Sequence, residues 1–231
     1  NGSSAPVNRS ADVSDIAMLQ YTSGSTSAPR GVVLTHANLM HNLGVLFSSY
    51  PGSLGDPVMT WLPPFHDMGL IGGILQPCYL GIESVLMPSA TFLQRPLSWL
   101  EALSTHKATT SGAPNFAFDL CAERIPPEDA RALDLSKWHT VFNGAEPIRA
   151  ETIDRFARAF EHVGFRRDAF FPCYGLAEAT LMVTSTPPDT AFPSRPSHAS
   201  PSAFGAGSGA GAGAGRRAST GGSGRRGPMA A

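Results

Sequence analysis

The sequence of 231 residues is 42% hydrophobic, so it can bury the core of one large domain or of two small ones. Its formal net charge is −1 at pH 7, and because five of the 17 basic residues lie after residue 190, the rest is mildly acidic and is not expected to bind nucleic acid. Three widely spaced cysteines argue against disulfides and structural zinc. No apolar run is long enough to span a bilayer. The composition therefore predicts a cytoplasmic protein with reduced cysteines.

Residues 1–14 are polar and are expected to form a linker, whereas residues 15–186 alternate between strand-like and helix-like patterns. Strand-like runs lie at 15–21, 31–34, 58–62, 82–87, 107–111, 139–143 and 168–172. Helix-like patterns lie at 36–50, 67–80, 96–106, 114–124 and 149–163, and a further helix is expected to begin near Gly175. This alternation predicts an α/β fold in which helices flank a largely parallel sheet and ligands bind at the carboxyl ends of the strands.

Two of the predicted helices carry specific signals. The helix over 36–50 has Thr35 as its candidate N-cap, and its apolar face consists of Leu39, Leu43, Leu46, Phe47 and Tyr50. The helix over 149–163 ends before Gly164, and its apolar stripe consists of Ile153, Phe156, Phe160 and Val163. Both helices are therefore expected to pack one face against the sheet.

Residues 187–231 differ in composition from the rest of the chain. They are rich in proline and then in glycine, alanine, serine and arginine, with almost no large apolar side chains. This composition predicts a disordered tail. The abrupt change suggests a truncated or frame-shifted end, and a basic tail that binds nucleic acid is the alternative.

A polar loop with the sequence YTSGSTSAPRG (21–31) lies between two strand-like runs. Its hydroxyl groups, its backbone N–H groups and the guanidinium of Arg30 can all be directed at an anion. The loop lacks the GxxxxGK[ST] pattern of a Walker loop. It therefore predicts either a phosphate-binding loop or an ordinary hairpin turn.

Two further segments follow predicted strands. The segment WLPPFHDMGL (61–70) places His66 and Asp67 at a helix start, and its alternative interpretation is a proline turn in which Asp67 only caps the helix. The segment FNGAEPI (142–148) places Glu146 in a glycine-containing turn that a flat ring could approach. The alternative for this segment is an ordinary connection between a strand and a helix.

The segment FFPCYGLAEAT (170–180) also follows a strand. It presents the aromatic ring of Tyr174 and, one turn into the expected helix, the carboxylate of Glu178. A carboxylate close to phosphates is costly unless a divalent cation lies between them, so Glu178 is a candidate Mg²⁺ ligand. The alternative is a glutamate that caps a helix or forms a surface ion pair.

Taken together and in this order, the four segments resemble those of the adenylate-forming superfamily, which includes acyl-CoA synthetases, luciferases and the adenylation domains of peptide synthetases. LQYTSGST, LPPFHDMGLIGG, SGAPNFAFDLC and FPCYGLAEATLMV are most similar to the long-chain fatty acyl-AMP ligase branch. The resemblance covers residues 15–186 and implies that they form part of the large N-terminal adenylation domain.

The resemblance implies a ligase that activates a long-chain fatty acid with ATP and Mg²⁺ to an acyl-adenylate. The acyl group would then pass to an acyl-carrier protein of a polyketide or lipid synthase. A long-chain acyl-CoA synthetase and a non-catalytic nucleotide-binding module are the alternatives.

The resemblance also implies roles for individual residues. His66 would lie near the carboxylate and the α-phosphate, Arg30 would be a supporting cation, and Glu178 would hold Mg²⁺. The expected nucleotide-binding residues are Thr22, Ser23, Gly24, Ser25, Thr26, Asn143, Gly144, Ala145, Glu146, Tyr174, Gly175 and Leu176. The expected lining of the acyl tunnel consists of Gly112, Asn115 and Phe116.

The sequence departs from the family pattern in several places. Pro-Arg-Gly stands where the family has Pro-Lys-Gly at the end of the first loop, which keeps the charge but not its geometry. The long N-terminal part, the ribose-binding aspartate and the C-terminal domain with its catalytic lysine have no counterpart in the 231 residues. We therefore expect a fragment that is weakly active or inactive by itself.

Overall fold

The computed structural model describes residues 10–22, 29–49 and 56–186 of the chain. Most of the expected linker (1–14) and the expected disordered tail (187–231) lie outside these residues. So do residues 23–28 of the polar loop, which include the predicted site residues Ser23, Gly24, Ser25 and Thr26, and Tyr50 of the predicted helix over 36–50. Within the described ranges, no helix is both long and apolar enough to cross a membrane.

A two-stranded antiparallel sheet comes first in the described chain. Strand β1 (Ile16–Thr22) pairs with strand β2 (Arg30–Thr35), and the register runs from Ile16 opposite Thr35 to Thr22 opposite Arg30. The strands expected at 15–21 and 31–34 are therefore confirmed. They form a hairpin of their own and are not hydrogen-bonded to the larger sheet.

Helix α1 (His36–Ser49) follows β2 directly and begins with a reciprocal cap. The Oγ1 atom of Thr35 accepts a hydrogen bond from the Asn38 N–H at 3.2 Å, and Asn38 Oδ1 accepts one from the Thr35 N–H at 3.0 Å. The predicted N-cap is confirmed. On the predicted apolar face Leu43 and Leu46 are buried, whereas Phe47 is exposed because no described element covers that end of the helix.

The larger sheet has six strands in the described chain, in the order β4-β3-β5-β6-β7-β8. The pairs from β4 through β7 are parallel, and only the β7–β8 pair is antiparallel. The strands are β3 (Val58–Thr60), β4 (Ser84–Leu86), β5 (Thr110–Ala113), β6 (Thr140–Asn143), β7 (Phe170–Gly175) and β8 (Met182–Ser185). The predicted α/β fold with a largely parallel sheet is confirmed.

Helices form most of the connections between the parallel strands. In chain order they are a π-helix (Met68–Leu75), α2 (Gln76–Leu80), α3 (Ser89–Gln94), α4 (Leu97–His106), α5 (Asn115–Arg124), α6 (Pro127–Ala130), α7 (Ala150–Phe160) and the 3₁₀ turns Glu161–Val163 and Arg167–Ala169. The short helices α3 and α6 were not predicted. The single helix expected over 67–80 is divided into a π-helix and an α-helix.

Close packing accompanies the π-helix. A Cβ atom added to Gly69 would lie 2.2 Å from the carbonyl oxygen of Pro63, and one added to Gly73 would lie 2.7 Å from the side chain of Thr60. Glycine at both positions lets this helix approach the end of β3 more closely than other residues could. Hydrophobic periodicity does not distinguish this geometry from a regular α-helix.

The helix expected to begin near Gly175 is a wrong prediction. Strand β7 continues through Gly175, a single 3₁₀ turn covers Ala177–Ala179, and β8 returns antiparallel to β7. A Cβ atom on Gly175 would lie 2.0 Å from the carbonyl oxygen of Leu181, so the chain folds back here at a distance that only glycine permits. Glu178 therefore lies in a tight turn between two strands and not in a helix.

An aromatic core joins the sheet to α4, α5 and α7. The ring of Trp99 lies 5.2 Å from that of Trp138 and 5.6 Å from that of Phe118, and Phe156 lies 5.2 Å from Phe118. The predicted stripe of α7 is fully buried, and Gly164 adopts the expected left-handed conformation with φ of 87°. This packing fixes the strands whose carboxyl ends form the site.

Candidate functional site

The end of β1 and the carboxyl ends of β3, β6 and β7 surround a cavity of about 470 Å³. Such a volume is within the range of small-molecule sites. The predicted site residues that line it are Thr22, His66, Gly144, Ala145, Tyr174, Gly175, Leu176 and Glu178. The structure therefore brings together residues from all four segments singled out in the sequence.

The segment after β3 makes a tight turn that presents His66 at the cavity. The His66 N–H donates to the Pro63 carbonyl at 3.1 Å, and Asp67 Oδ1 accepts a hydrogen bond from the Met68 N–H at 2.6 Å at the start of the π-helix. Asp67 therefore caps this helix, as its alternative interpretation expected. It also lies beside His66, so the same carboxylate caps the π-helix and interacts with the imidazole of His66.

The imidazole of His66 interacts with the carboxylate of Asp67. Its Nδ1 atom lies 2.7 Å from Asp67 Oδ1, and half of the His66 side chain is exposed. A hydrogen bond that the protonated imidazole donates to the Asp67 carboxylate raises the pKa of His66 above its ordinary value, while partial burial opposes this effect. His66 can therefore bring a positive charge and an N–H donor to the cavity.

A buried amide connects the hairpin to the same turn. The Nε2 atom of Gln20 in β1 donates to the Phe65 carbonyl at 3.0 Å, and Gln20 is almost fully buried. The end of β1, with Thr22, is thereby held beside His66. Arg30 pairs with Thr22 across the hairpin at the other end of the polar loop.

The turn after β6 gives the cavity a smooth wall. A Cβ atom on Gly144 would lie 2.9 Å from the Cys173 carbonyl oxygen, so a larger residue would separate this turn from β7. Ala145 has a φ of 67°, which is uncommon for a residue other than glycine and marks local strain. Small residues in this turn leave the backbone open to a planar ligand.

Two predicted nucleotide-binding residues, Asn143 and Glu146, do not line this cavity. The carboxylate of Glu146 accepts a hydrogen bond from the Phe116 N–H at the amino end of α5, where a negative charge is favourable. The Nδ2 atom of Asn143 is 3.4 Å from Asn115 Oδ1, and Asn115 Oδ1 also accepts a hydrogen bond from the Arg149 N–H at 3.1 Å. Both residues thus link the turn after β6 to α5.

The predicted acyl-tunnel residues also lie outside the cavity. Gly112 packs against β6, since a Cβ atom there would lie 2.0 Å from the Phe142 carbonyl oxygen. Asn115 is buried and donates to Thr152 Oγ1 at 2.8 Å. The ring of Phe116 is partly exposed and meets the ring of Trp61 edge-on at 6.4 Å. Their role in acyl binding stays a prediction.

The segment after β7 presents two groups of different character. Tyr174 is 59% exposed and lines the cavity, so its ring is available for stacking, and Glu178 is exposed in the turn that follows. Cys173 behind them has its pKa raised to about 11 by burial, so its thiol is neutral. It contributes apolar surface to the cavity wall and not a nucleophile.

The apolar part of the cavity was not among the predicted site residues. Leu46 from α1, Met68 from the π-helix, and Leu181 and Met182 at the start of β8 all line it. Met68, Leu181 and Met182 lie within the quoted motif segments, but apolar residues there are not distinguished by sequence from ordinary core residues. Leu46 was predicted only as part of the apolar face of α1.

The described side chains offer few donors for a divalent cation. Within residues 10–22, 29–49 and 56–186, no group of three His, Cys, Asp or Glu side chains could hold a metal ion. Mg²⁺ is usually held by one or two carboxylates together with substrate phosphates and water. The single exposed carboxylate of Glu178 at the cavity fits that mode of binding and not a complete protein cage.

The chain is similar to known proteins over most of its length. The family model described as AMP-binding enzyme matches residues 2–206. The medium-chain-fatty-acid–[acyl-carrier-protein] ligase JamA of Moorena producens is 48% identical over 170 residues, which are 74% of this chain and 29% of that protein. A long-chain-fatty-acid–AMP ligase of Mycolicibacterium smegmatis is 47% identical over 181 residues, which are 76% of this chain and 29% of that protein.

A solved structure is similar in both fold and sequence. It is the crystal structure of a fatty acyl-adenylate ligase from Legionella pneumophila in complex with acyl adenylate and pyrophosphate. Its TM-score is 0.75 at 54% sequence identity, and the match covers 78% of this chain and 32% of that chain. The chain thus spans less than a third of the length of these relatives.

Proposed function

Because this chain belongs to the AMP-binding enzyme family, we propose that it is the nucleotide-binding part of a fatty acyl-AMP ligase. The reaction joins a fatty acid to the α-phosphate of ATP, which gives an acyl-adenylate and pyrophosphate. Two similar proteins are named as fatty acid ligases, one with AMP and one with an acyl-carrier protein. The observation that carries the proposal is the cavity where three strand ends and the hairpin meet.

In this proposal the nucleotide lies along the ends of β6 and β7. The exposed ring of Tyr174 stacks on adenine, and the small residues Gly144 and Ala145 leave room for the base beside them. Gly175 and Leu176 continue the same wall. Asn143 and Glu146 support the turn from behind through their bonds to α5.

The phosphates lie at the hairpin end of the cavity. Thr22 and the loop residues Ser23, Gly24, Ser25 and Thr26 bind the β- and γ-phosphates through hydroxyl and backbone N–H groups. Arg30, which pairs with Thr22, adds a positive charge at the same end. The polar loop is thus assigned to phosphate binding.

The chemical step needs stabilisation of developing negative charge. An oxygen of the fatty acid carboxylate attacks the α-phosphorus while the bond to the bridging oxygen breaks and its electron pair leaves with pyrophosphate. His66 donates its N–H to the reacting α-phosphate or carboxylate, and its raised pKa keeps it protonated to higher pH. The enzyme contributes mainly positioning and preorganised charge.

Glu178 is the residue that we assign to Mg²⁺. Its carboxylate would help to hold Mg²⁺, and the bound ion would supply neutralisation of phosphate charge, which favours departure of pyrophosphate. Glu178 lies in the turn after β7, which keeps it on the same side of the cavity as Tyr174.

The acyl chain and its acceptor complete the proposal. A long-chain fatty acid extends from the cavity toward Gly112, Asn115 and Phe116. Phe116 is exposed and offers aromatic surface there, whereas Trp61, which meets it edge-on, is buried. The acyl group then passes to an acyl-carrier protein of a polyketide or lipid synthase. The acyl-carrier-protein ligase among the relatives supports this acceptor.

The organisation of the chain follows from the same proposal. Residues 15–186 contribute the adenylation region, residues 1–14 a linker and residues 187–231 a tail outside it. The three cysteines are free. A reducing cytoplasm, where ATP is also available, is the compartment that suits such an enzyme.

The proposal is tested by product analysis with the complete encoded polypeptide and with the 231-residue chain. Each is incubated with ATP, Mg²⁺ and a saturated fatty acid of roughly 12 to 16 carbons, a length that provides substantial apolar surface for burial. Parallel reactions contain CoA, a phosphopantetheinylated acyl-carrier protein, or neither. Mass spectrometry then measures acyl-AMP, acyl-CoA and acyl-carrier protein.

Acyl-AMP without CoA, followed by loading of the carrier protein, is the expected result for the complete polypeptide. Weak or absent turnover is expected for the 231-residue chain. Rapid formation of acyl-CoA would instead identify an acyl-CoA synthetase. Nucleotide binding without any product from the complete polypeptide would favour a non-catalytic module.

A further inference from the structure

We propose that Asn42 is a positioning residue for Glu178. Asn42 lies in the middle of α1 and is buried, yet it contacts no substrate in the proposed reaction. Its side chain holds the turn from which Glu178 faces the cavity. This inference rests on the proposed function, since it concerns the residue that we assign to Mg²⁺.

The side-chain amide of Asn42 makes three hydrogen bonds to the backbone of that turn. Its Nδ2 atom donates to the carbonyls of Ala179 at 3.3 Å and Met182 at 3.0 Å. Its Oδ1 atom accepts a hydrogen bond from the Met182 N–H at 3.1 Å. Both donors and the acceptor are thus used, so the orientation of the amide is fixed by its partners.

The backbone between these anchor points has an unfavourable conformation. Thr180 has φ of 76° and ψ of −61°, which is rare for a β-branched residue. Strained backbone persists when the surrounding structure holds it in place. Asn42 bonds to one residue before Thr180 and to one after it, so it spans the strained position.

Loose packing beside the turn makes these bonds more important. A hollow of about 200 Å³ lies between the start of α1 and the turn, and it is lined by Asn38, His41, Asn42, Glu178 and Thr180, among others. Dense side-chain packing therefore does not fix this face of the turn. The amide of Asn42 provides the specific polar attachment there.

The same helix also connects to the proposed phosphate-binding hairpin. Helix α1 follows β2 without a gap and is capped by Thr35, the last residue of that strand. Asn42 therefore ties Glu178 to the element that carries Arg30. A fixed distance between the phosphate-binding cation and the carboxylate is what a metal ion shared with the phosphates requires.

The test compares the Mg²⁺ requirement of Asn42→Ala, Asn42→Asp and Glu178→Gln in the complete encoded polypeptide. Asn42→Asp keeps the size and the acceptor oxygen but removes both donors, so it covers the case in which Asn42→Ala does not fold. Leu103→Ala, a buried substitution in α4 away from the cavity, controls for general destabilisation. The readout is the Mg²⁺ concentration that gives half-maximal formation of acyl-AMP.

We expect this concentration to rise about tenfold in both Asn42 variants, while the KM for the fatty acid changes less than twofold and Leu103→Ala leaves both unchanged. In a Glu178→Gln background, Asn42→Ala should add no further increase.

A second readout does not depend on turnover. Electron paramagnetic resonance should show weaker Mn²⁺ binding by Asn42→Ala saturated with a non-hydrolysable ATP analogue.

The possible failures can be told apart. If Glu178→Gln leaves the Mg²⁺ requirement unchanged, the assigned metal role of Glu178 is wrong. If Glu178→Gln raises it but neither Asn42 variant does, the positioning role of Asn42 is overturned. An equal increase in Leu103→Ala, or an additive effect in the double variant, would also overturn it.

Discussion

The charge of one histidine at the cavity depends on one neighbouring carboxylate. Asp67 both caps the π-helix and lies 2.7 Å from His66 Nδ1. Because the pKa of His66 is raised from 6.5, the stability that this pair contributes is fully present below pH 6.5. It is lost as the pH rises through the folded-state pKa of His66.

The substitution Asp67→Asn separates the two roles of this carboxylate. Its Oδ1 atom can still accept the hydrogen bond of the Met68 N–H, but it no longer carries a charge. We expect the pKa of His66 to fall toward its ordinary value, and formation of acyl-AMP to decline at a correspondingly lower pH. Proton NMR of the imidazole and a pH–rate profile of the complete encoded polypeptide measure these effects.

An unchanged pKa of His66 in Asp67→Asn would show that Asp67 does not control this group.

A second residue-scale prediction concerns glycine at close contacts. Gly112→Ala would force a Cβ atom against the Phe142 carbonyl, so we expect a loss of about 3 kcal/mol in the free energy of unfolding. Gly44→Ala in α1 meets nothing within 4 Å and should instead stabilise by about 0.5–1 kcal/mol. Urea denaturation measures the change in the free energy of unfolding of each variant. Similar changes in the two variants would contradict the claim that the close contact at Gly112 excludes a side chain.

At the scale of elements, the amino end of α5 is held by a distant loop. Glu146 accepts the Phe116 N–H, and Asn115 accepts the Arg149 N–H, so the turn after β6 and α5 bind one another reciprocally. A carboxylate at a helix amino terminus stabilises it through the unpaired N–H groups there. Glu146 therefore fixes the amino end of α5, which carries Asn115 and Phe116, relative to the turn after β6.

Glu146→Ala should lower the free energy of unfolding by about 1–2 kcal/mol, because α5 loses its side-chain cap. Glu83→Ala, a substitution of an exposed glutamate, is the matched control and should change it by less than about 0.5 kcal/mol. Thermal and urea unfolding measure both. Equal effects of the two substitutions would exclude a capping role.

Local sequence patterns were sufficient for elements whose signals are also local. The stripe of α7 and the Thr35 cap involve residues three or four positions apart, and both are confirmed. The segment after Gly175 was predicted incorrectly because its fold-back depends on contact with Leu181 and on the amide of Asn42. Similarly, no local signal pairs Glu146 with an N–H group 30 residues away.

For the molecule as a whole, the motifs predicted at which edge of the sheet the site lies, but not all of the residues that line the cavity. Strand–helix alternation, together with the rule that ligands bind at the carboxyl ends of parallel strands, was enough to predict that His66, Gly144 and Tyr174 lie close together. The predicted acyl residues lie elsewhere because Gly112 and Asn115 are used in packing and in a buried polar network. The order and direction of the strands can be predicted from the sequence pattern. The hydrogen bonds and packing contacts between side chains of different elements cannot.

The hairpin exposes apolar side chains in the described chain. Leu19 and Val33 face each other across the two strands and are 50% and 53% exposed, and Tyr21 beside them is 64% exposed. Contiguous apolar surface of this kind promotes association. We expect the 231-residue chain to self-associate at high concentration through this face.

The variant Leu19→Lys/Val33→Thr should scatter less light at equal concentration, and its free energy of unfolding should change by no more than about 0.5 kcal/mol. Leu93→Lys replaces an exposed leucine in α3 and serves as the control. An equal reduction of scattering by Leu93→Lys would show that the hairpin face is not the cause.

The reciprocal bonds between α5 and the turn after β6 also matter for protein engineering. The side chains of Asn115 and Glu146 each bind a backbone N–H group that belongs to the other segment. A chimaera whose crossover falls between Asn115 and Glu146 would take α5 from one protein and the turn after β6 from another. The two segments would then come from different proteins and could lack these two hydrogen bonds. Recombination among members of this family should therefore transfer residues 115–149 as one block, because exchanging α5 alone discards the partners that set its orientation.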